Sequence, residues 1–442
     1  MAADTDKSLR NQVMYCVFVR QYSPEGTFDK VREDLGRIRA MGVDIIWLMP
    51  IHPIGLKRRK GSLGSPYAIS DYRTVNPEYG TLDDFKALVD AIHSEGMKCI
   101  IDVVYNHTSP DSVLSREHPE WFYHRPDGTF GNRIGEWYDV IDLDYAQRGL
   151  WDYQISTLKM WAGIVDGFRC DVAPLIPLEF WREARRQVAR VRPDCLWLSE
   201  SVEPEFTVEN RSRGMMSLSD SEIFQAFDIS YEYDVYHDWV RYMTGEMPLK
   251  DYLFRVRQQE YLYPDNYVKL RFLENHDRMR AAFMAPDERA LRNWTAFAFF
   301  QRGLTLIYNG QEKACVHRPG LFDRDAIPWE TGRDLSGLIG SLSRIKRSPL
   351  MRDGAYTVRE GGRGIIIGEY VHDDECLVGV FCVEGRGGVA TLSVPDGIYT
   401  DLIGGGDVQA EQGLVSVGGE PVIFTVTNGQ RSHDGQNGID PA

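Results

Sequence analysis

Apolar strand-like runs alternate with helix-like segments along most of the chain, and this alternation limits the possible folds more than any other feature. The strand-like runs cover residues 13–19, 44–50, 98–104, 164–168, 195–200, 226–230, 268–273 and 304–308. Helical spacing of apolar residues separates them, for example in residues 28–41, 81–95 and 288–301. From Ile45 onward the second run is apolar, as expected of a strand covered on both faces. The pattern predicts a parallel (β/α)8 TIM barrel.

Two parts of the chain depart from this alternation. Residues 105–144 are rich in Pro, Gly, His and aromatic residues, and they are too long for an ordinary strand-to-helix loop. We expect them to form a small inserted domain after the third strand, within a barrel made of residues 1–104 and 145–350. Short strand-like runs between Gly-rich turns predict an antiparallel β domain over residues 351–427. The polar residues 428–442 are predicted to be a disordered tail.

The composition limits the partners and the compartment. A net charge of −15 and a pI near 5.2 argue against nucleic acid and anionic membranes as partners. No apolar run is long enough for a membrane span. The N-terminal stretch is polar and lacks an apolar signal core, and the seven cysteines are scattered. These features favour a cytoplasmic protein with buried thiols, and secretion stays open as the alternative.

Three acids lie at the ends of predicted barrel strands: Asp171, Glu200 and Asp277. Active-site residues of this fold come from several strand ends on one face of the barrel. Glycoside hydrolysis needs two carboxyl groups across the scissile bond, one as nucleophile or base and one as proton donor. Arg169 stands two residues before Asp171, on the same face of the strand, and would keep that carboxylate ionised.

Four segments resemble the motifs of the α-amylase family of glycoside hydrolases: residues 102–107 (Asp-Val-Val-Tyr-Asn-His), 167–171 (Gly-Phe-Arg-Cys-Asp), 197–200 (Trp-Leu-Ser-Glu) and 272–277 (Phe-Leu-Glu-Asn-His-Asp). Their order and their places at strand ends match the family, and the resemblance extends from the first strand to about Trp329. It implies an α-glucan or oligosaccharide substrate and no required cofactor. It also implies a retaining mechanism, with the two key carboxyl groups about 5–5.5 Å apart.

The resemblance also implies a role for each matching residue. Asp171 would be the nucleophile, Glu200 the general acid and then base, and Asp277 the residue that grips hydroxyls of the distorted sugar. The substrate-binding candidates are Tyr67, His107, Arg169, His276, Asp323 and Arg324. For Asp323 and Arg324 a structural salt bridge is an equal alternative.

Many family members bind a structural calcium ion between the barrel and the inserted domain. Asn106 and Asp142 are the residues here that would match its ligands. The second motif of calcium-binding members usually ends in Lys-His, and this chain has Pro174 and Leu175 at those positions. We therefore expect that calcium is not required.

Specificity is less constrained by the sequence. The short insertion predicts an open cleft suited to glucan chains, and the basic run of residues 57–60 is interpreted as a solvated surface run near the barrel mouth. We predict a hydrolase of α-1,4-glucosidic bonds. Val172 keeps an α-1,6-glucosidase or α-glucosidase as an alternative, because a valine there is associated with α-1,6 preference in one branch of the family. A glucosyl-transferring relative is a further alternative, and a non-catalytic binding subunit is the remote one.

Overall fold

Eight parallel strands close into a barrel in the computed structural model, which describes residues 4–135 and 137–427. The strands in chain order are β1 (Val13–Val17), β2 (Ile45–Leu48), β3 (Lys98–Val103), β4 (His107–Thr108), β5 (Ile141–Asp142), β6 (Gly167–Cys170), β7 (Leu196–Ser199), β8 (Ile229–Tyr231), β9 (Val268–Arg271), β10 (Leu304–Tyr308), β11 (Ala355–Gly362), β12 (Ile365–His372), β13 (Glu375–Cys382), β14 (Gly388–Thr391), β15 (Gly397–Thr400), β16 (Asp407–Glu411), β17 (Leu414–Val417) and β18 (Val422–Thr427). Around the barrel the order is β1, β2, β3, β6, β7, β8, β9 and β10, and β10 pairs with β1. The predicted fold class is confirmed.

Helices surround the barrel between successive strands. The α-helices are α1 (Val19–Tyr22), α2 (Phe28–Glu33), α3 (Leu35–Ala40), α4 (Leu82–Ser94), α5 (Val113–Glu117), α6 (Arg148–Ala162), α7 (Leu178–Val188), α8 (Pro204–Ser212), α9 (Asp220–Ile223), α10 (Tyr233–Met243), α11 (Leu249–Leu262), α12 (Ala281–Met284), α13 (Glu288–Phe300), α14 (Ser336–Lys346) and α15 (Pro349–Asp353). Thr81 caps α4 in a capping box with Asp84, as the sequence indicates. No helix of the described residues has the length and the apolar character needed to cross a membrane.

Three predicted elements differ in extent from the structure. The first strand stops at Val17, and the chain then turns into α1. The predicted helix over residues 28–41 is two helices that meet at Asp34, whose carboxylate accepts a 2.9 Å hydrogen bond from Nε of Arg37. The sixth barrel strand starts at Ile229 rather than at residue 226. Residues 226–228 of the predicted strand therefore come before it. The side chain of Asp228 accepts a 3.0 Å hydrogen bond from the backbone N–H of Trp197.

Backbone hydrogen bonds between neighbouring barrel strands place Asp171 and Glu200 at the same end of the barrel. The backbone N–H of Asp171 donates to Val103 O at 3.0 Å, and that of Glu200 donates to Cys170 O at 3.0 Å. Gly167 starts β6 where a Cβ would lie 2.4 Å from Leu196 O, so only glycine fits at this crossing. The two acids therefore follow neighbouring strands at the same carboxyl-terminal edge.

The remaining chain forms the insertion and the C-terminal part. In the insertion β4 pairs antiparallel with β5. Two four-stranded antiparallel sheets follow α15, in the orders β11-β12-β13-β18 and β14-β17-β16-β15. The sequence does not predict β11, β15 and β16, because β15 and β16 are short and half-exposed and β11 alternates polar and apolar residues irregularly. All seven cysteines are buried free thiols. The predicted tail, residues 428–442, lies outside the described residues.

Candidate active site

A cavity of about 300 Å³ opens at the carboxyl-terminal rim of the barrel. Its lining residues are Lys60, Ser65, Tyr67, His107, Trp137, Asp139, Val140, Asp171, Val172, Glu200, Asp277, Leu321 and Phe322. The three predicted acids thus share one cavity with two of the predicted sugar-binding residues, Tyr67 and His107. Burial lowers the pKa of His107 to about 4, so its imidazole is neutral and can both donate and accept a hydrogen bond.

One buried guanidinium joins the acids at the cavity floor. Arg169 is fully buried, and its Nη1 lies 2.9 Å from Oδ1 of Asp171. Its Nη2 lies 2.8 Å from Oε1 of Glu200. The residue therefore holds two carboxyl groups side by side, and it supplies a positive charge where both would otherwise repel each other.

Burial sets the protonation of the two acids. Burial raises the pKa of Glu200 to about 7. The charge of Arg169 lowers this pKa, and the charges of Asp171 and Asp277 raise it. Burial also raises the pKa of Asp171 to about 6, again opposed by Arg169. Of the two acids, Glu200 has the higher pKa and keeps its proton to the higher pH. This order suits a proton donor beside a carboxylate nucleophile.

The third acid lies at the more open side of the cavity. Oδ2 of Asp277 is 3.0 Å from Nε2 of His276. Burial alone would raise the pKa of Asp277, but His276 and Arg169 hold it below its usual value. Tyr67 stacks on His276 with ring centroids 5.4 Å apart, and its hydroxyl oxygen is 2.7 Å from Nε2 of that histidine. Tyr67 and Asp277 line the cavity, whereas His276 is buried behind them and contacts both.

Asp102 is a member of the buried cluster to which sequence reasoning assigned no role. It is fully buried, and Nη1 of Arg169 donates to both of its carboxylate oxygens at 3.0 Å. The hydroxyl of Tyr67 donates to its Oδ2 at 3.2 Å. The signal that could have found it is its place at the end of β3, as the first residue of the first motif. These contacts with Asp102 fix the orientation of the Arg169 guanidinium.

Val172, the residue after the nucleophile candidate, has a strained backbone. Its φ of +36° is unusual for a β-branched side chain. Its backbone N–H donates a 2.8 Å hydrogen bond to Oε2 of Glu200. Strain of this kind persists where the surroundings impose it, and it is common at active sites.

The structure does not bring Asp323 and Arg324 to the cavity. Oδ1 of Asp323 accepts hydrogen bonds from the N–H and the hydroxyl of Ser62, both at 2.7 Å. Arg324 donates to Oε1 of Glu78 at 2.9 Å and to two backbone carbonyls. The neighbouring Leu321 and Phe322 line the cavity instead. For Arg324 this placement favours the salt-bridge alternative.

The two residues implied for calcium, Asn106 and Asp142, lie in a second cavity of about 320 Å³ between the insertion and the barrel. Oδ1 of Asp142 is buried there without a hydrogen-bond partner, which is a point in favour of a cation. However, the guanidinium of Arg133 already lies 3.7 Å from Oδ2 of Asp142. Among the described residues no group of three His, Cys, Asp or Glu side chains could hold a metal ion. The neighbouring guanidinium of Arg133 is thus the observation against a cation beside Asp142.

Two family models match nearly the whole chain. The model described as "Alpha amylase, catalytic domain" matches residues 3–139 and 136–354, and "Bacterial Alpha amylase C-terminal domain" matches residues 357–424. Among solved structures, an alpha-amylase from Lactobacillus plantarum is 48% identical, with a TM-score of 0.93 and coverage of 96% of this chain and 100% of that one. A noncanonic maltogenic alpha-amylase from Thermotoga neapolitana is 31% identical, with a TM-score of 0.85 and coverage of 95% and 99%.

Curated relatives carry a different name. An alpha-1,4-glucan:maltose-1-phosphate maltosyltransferase from Myxococcus xanthus is 32% identical over 281 residues, 58% of this chain and 39% of the relative. The enzyme of that name from Rhodospirillum rubrum is 38% identical over 197 residues, 40% of this chain and 28% of the relative. The chain thus spans 39% or less of the length of these two relatives.

Proposed function

Since the chain belongs to the alpha-amylase family, we propose that it is a retaining hydrolase of α-1,4-glucosidic bonds in starch-type glucans or maltooligosaccharides. The observation that carries the proposal is the shared guanidinium of Arg169, which holds Asp171 and Glu200 as neighbours. Two carboxyl groups that contact the same guanidinium suit the short carboxyl separation of retaining enzymes. Inverting enzymes have a wider separation, which leaves room for a water molecule.

Two displacements complete the proposed reaction. In the first, a carboxylate oxygen of Asp171 bonds to the anomeric carbon while the glycosidic C–O bond breaks and Glu200 gives its proton to the leaving oxygen. In the second, Glu200 takes a proton from water, whose oxygen bonds to the anomeric carbon as the Asp171 ester breaks. Asp277, His276, Tyr67 and His107 would bind the hydroxyls of the sugar in between.

Transfer of a sugar from maltose 1-phosphate is the second candidate, because the curated relatives are named for that reaction. The charges of the cavity argue against it. Among the described lining residues Lys60 is paired with Asp139 at 2.8 Å, and the buried Arg169 is paired with Asp171 and Glu200, so neither cation is free for a phosphate, and Asp277 adds a further carboxylate. A phosphate dianion would meet net negative charge there, whereas a neutral oligosaccharide would not.

We also propose that calcium is not required, because the guanidinium of Arg133 stands beside Asp142 where a cation would otherwise balance that buried carboxylate. No step of the proposed reaction involves a metal ion.

A substrate panel tests the proposed function. We expect the purified chain to cleave maltoheptaose faster than isomaltose or pullulan, with the α anomer as the first product in rapid NMR spectra. Maltose 1-phosphate with a glucan acceptor should release no inorganic phosphate. Preference for isomaltose would support the α-1,6 alternative, and phosphate release would support the transferase. Absence of any turnover would favour a binding subunit.

A further inference from the structure

We propose that the cavity is closed on the side away from Glu200, so that the enzyme acts from the non-reducing end of its substrate and releases a short glycone. The closing surface, here called the glycone wall, consists of residues 60–65, 137–140 and 321–323. This proposal rests on the proposed function and adds the direction and the site of attack along the chain.

The barrel topology gives the glycone wall its position. Glu200 follows β7, and the strand opposite β7 in the closed barrel is β1, flanked by β2 and β10. The loops after β2 and β10 supply residues 60–65 and 321–323. Because Glu200 protonates the leaving oxygen, the aglycone lies on its side of the cavity. The glycone therefore points across the barrel toward the wall.

Backbone contacts fasten the two loops together. The N–H groups of Leu63 and Gly64 donate to Phe322 O at 2.9 and 3.1 Å. Gly61 has a φ of +59°, and a Cβ there would lie 2.7 Å from Cβ of Phe322. The loops thus approach as closely as glycine allows. With the hydrogen bonds from Ser62 to Asp323, they leave little space for a sugar chain to pass between them.

Lys60 joins this pair of loops to the insertion. Its Nζ lies 2.8 Å from Oδ1 of Asp139, 4.8 Å from the ring centroid of Tyr138 and 5.6 Å from that of Phe322. The side chain of Asp139 is 5% exposed and that of Lys60 20% exposed, so the pair is largely shielded from bulk water. Lys60 belongs to the basic run of residues 57–60, which the sequence predicts to be solvated, yet it lines the cavity.

The chemistry of the wall suits a chain end. An ammonium group and a carboxylate at one place can donate to and accept from a terminal sugar hydroxyl. A glycosidic oxygen carries no proton and brings another sugar ring with it, which would have to displace the Lys60–Asp139 pair. The wall therefore favours a free non-reducing end over the interior of a glucan.

Two labelled oligosaccharides test the proposal: maltoheptaose tagged at the reducing end, with its non-reducing 4- and 6-hydroxyls either free or blocked as an ethylidene acetal. We expect the blocked substrate to be cleaved roughly 100-fold more slowly. The free substrate should first yield one short untagged product and one long tagged product. Equal rates, or tagged products of all lengths at once, would overturn the inference and leave the proposed function standing. No cleavage of the free substrate would overturn both.

Two variants test whether the Lys60–Asp139 ion pair causes the difference between the blocked and the free substrate. Lys60→Ala should raise the ratio of blocked to free cleavage by roughly tenfold, because it opens the wall without touching the three acids. Lys57→Ala, from the exposed part of the same basic run, is the matched control and should leave that ratio unchanged. An unchanged ratio in a folded Lys60→Ala protein would overturn the role given to the pair. The comparison in the unaltered enzyme does not depend on either variant.

Discussion

The backbone N–H of Val172 donates a 2.8 Å hydrogen bond to Oε2 of Glu200, and the same residue has a φ of +36°. The strand that carries Asp171 therefore holds the neighbouring acid at two points, by this N–H and by the guanidinium of Arg169. Each acid oxygen of Glu200 has its own partner, which fixes the orientation of the carboxyl group. Such fixed orientation is what general acid catalysis requires.

Removal of either key carboxyl should abolish most activity and leave the fold intact. We expect Asp171→Asn and Glu200→Gln each to lower kcat/KM on maltoheptaose by roughly a thousandfold or more, because each removes one half of the double displacement. Steady-state kinetics measure the loss, and circular dichroism with thermal unfolding checks the fold. Near-normal turnover in either variant would contradict the mechanism.

The pH dependence of kcat/KM should be bell-shaped with its optimum between about 6 and 7. Asp171 has a pKa raised to about 6 and must be ionised, so activity falls as the pH drops below that value. Glu200 has a pKa raised to about 7 and must be protonated, so activity falls as the pH rises above it. A pH series in one buffer system at constant ionic strength measures both limbs. An optimum far above pH 7 would contradict this order of the two acids.

Loss of the Glu200 charge should stabilise the fold above neutral pH. The pKa of Glu200 is raised in the folded state, so its stabilising contribution is complete below the unfolded pKa and is lost as the pH rises through about 7. Glu200→Gln is neutral at every pH. Its Tm should therefore exceed that of the unaltered protein by more at pH 8 than at pH 5. Calorimetry at both pH values checks the difference, and the reverse order would contradict the burial argument.

Much of the fold could be predicted because parallel strands buried on both faces are nearly continuous apolar runs. The run of β2 and the glycine-started β6 are clear examples, and the acids after β6, β7 and β9 follow from the strand ends. The short strands β15 and β16 of the C-terminal part cannot be predicted in this way, because half-exposed short strands lack that signal. The local pattern also does not show that the predicted helix over residues 28–41 breaks at Asp34.

The limits of prediction at the site have a different cause. Lys60 appears in the sequence as one member of a solvated basic run, and only the approach of the insertion gives it Asp139 as a partner. Arg324 matches the family loop by position, yet its side chain turns to Glu78. Both outcomes depend on contacts between distant segments, which the spacing within one segment does not encode.

The two classes of substrate-binding candidate should separate on mutation. Tyr67→Phe keeps the ring but removes a hydroxyl that lies 2.7 Å from Nε2 of His276, and we expect kcat/KM to fall by roughly tenfold, about one hydrogen bond. Arg324→Ala breaks a half-exposed ion pair with Glu78, so it should cost at most about 1 kcal/mol of stability with kcat/KM unchanged. A large kcat/KM loss in Arg324→Ala would restore its sugar-binding role.

Metal removal should change neither stability nor activity. The carboxylate of Asp142 has its Oδ2 bonded by the backbone N–H of Arg133 at 2.7 Å, and the guanidinium of Arg133 lies 3.7 Å from the same oxygen. Burial raises the pKa of Asp142 and so favours its neutral carboxyl form. A neutral carboxyl group has no charge for a cation to balance. We therefore expect the same Tm and the same turnover after dialysis against EDTA as after addition of millimolar calcium. A Tm that falls with EDTA and recovers with calcium would contradict this expectation, and loss of that response in Asp142→Asn would place the ion at the unpartnered Oδ1 of Asp142.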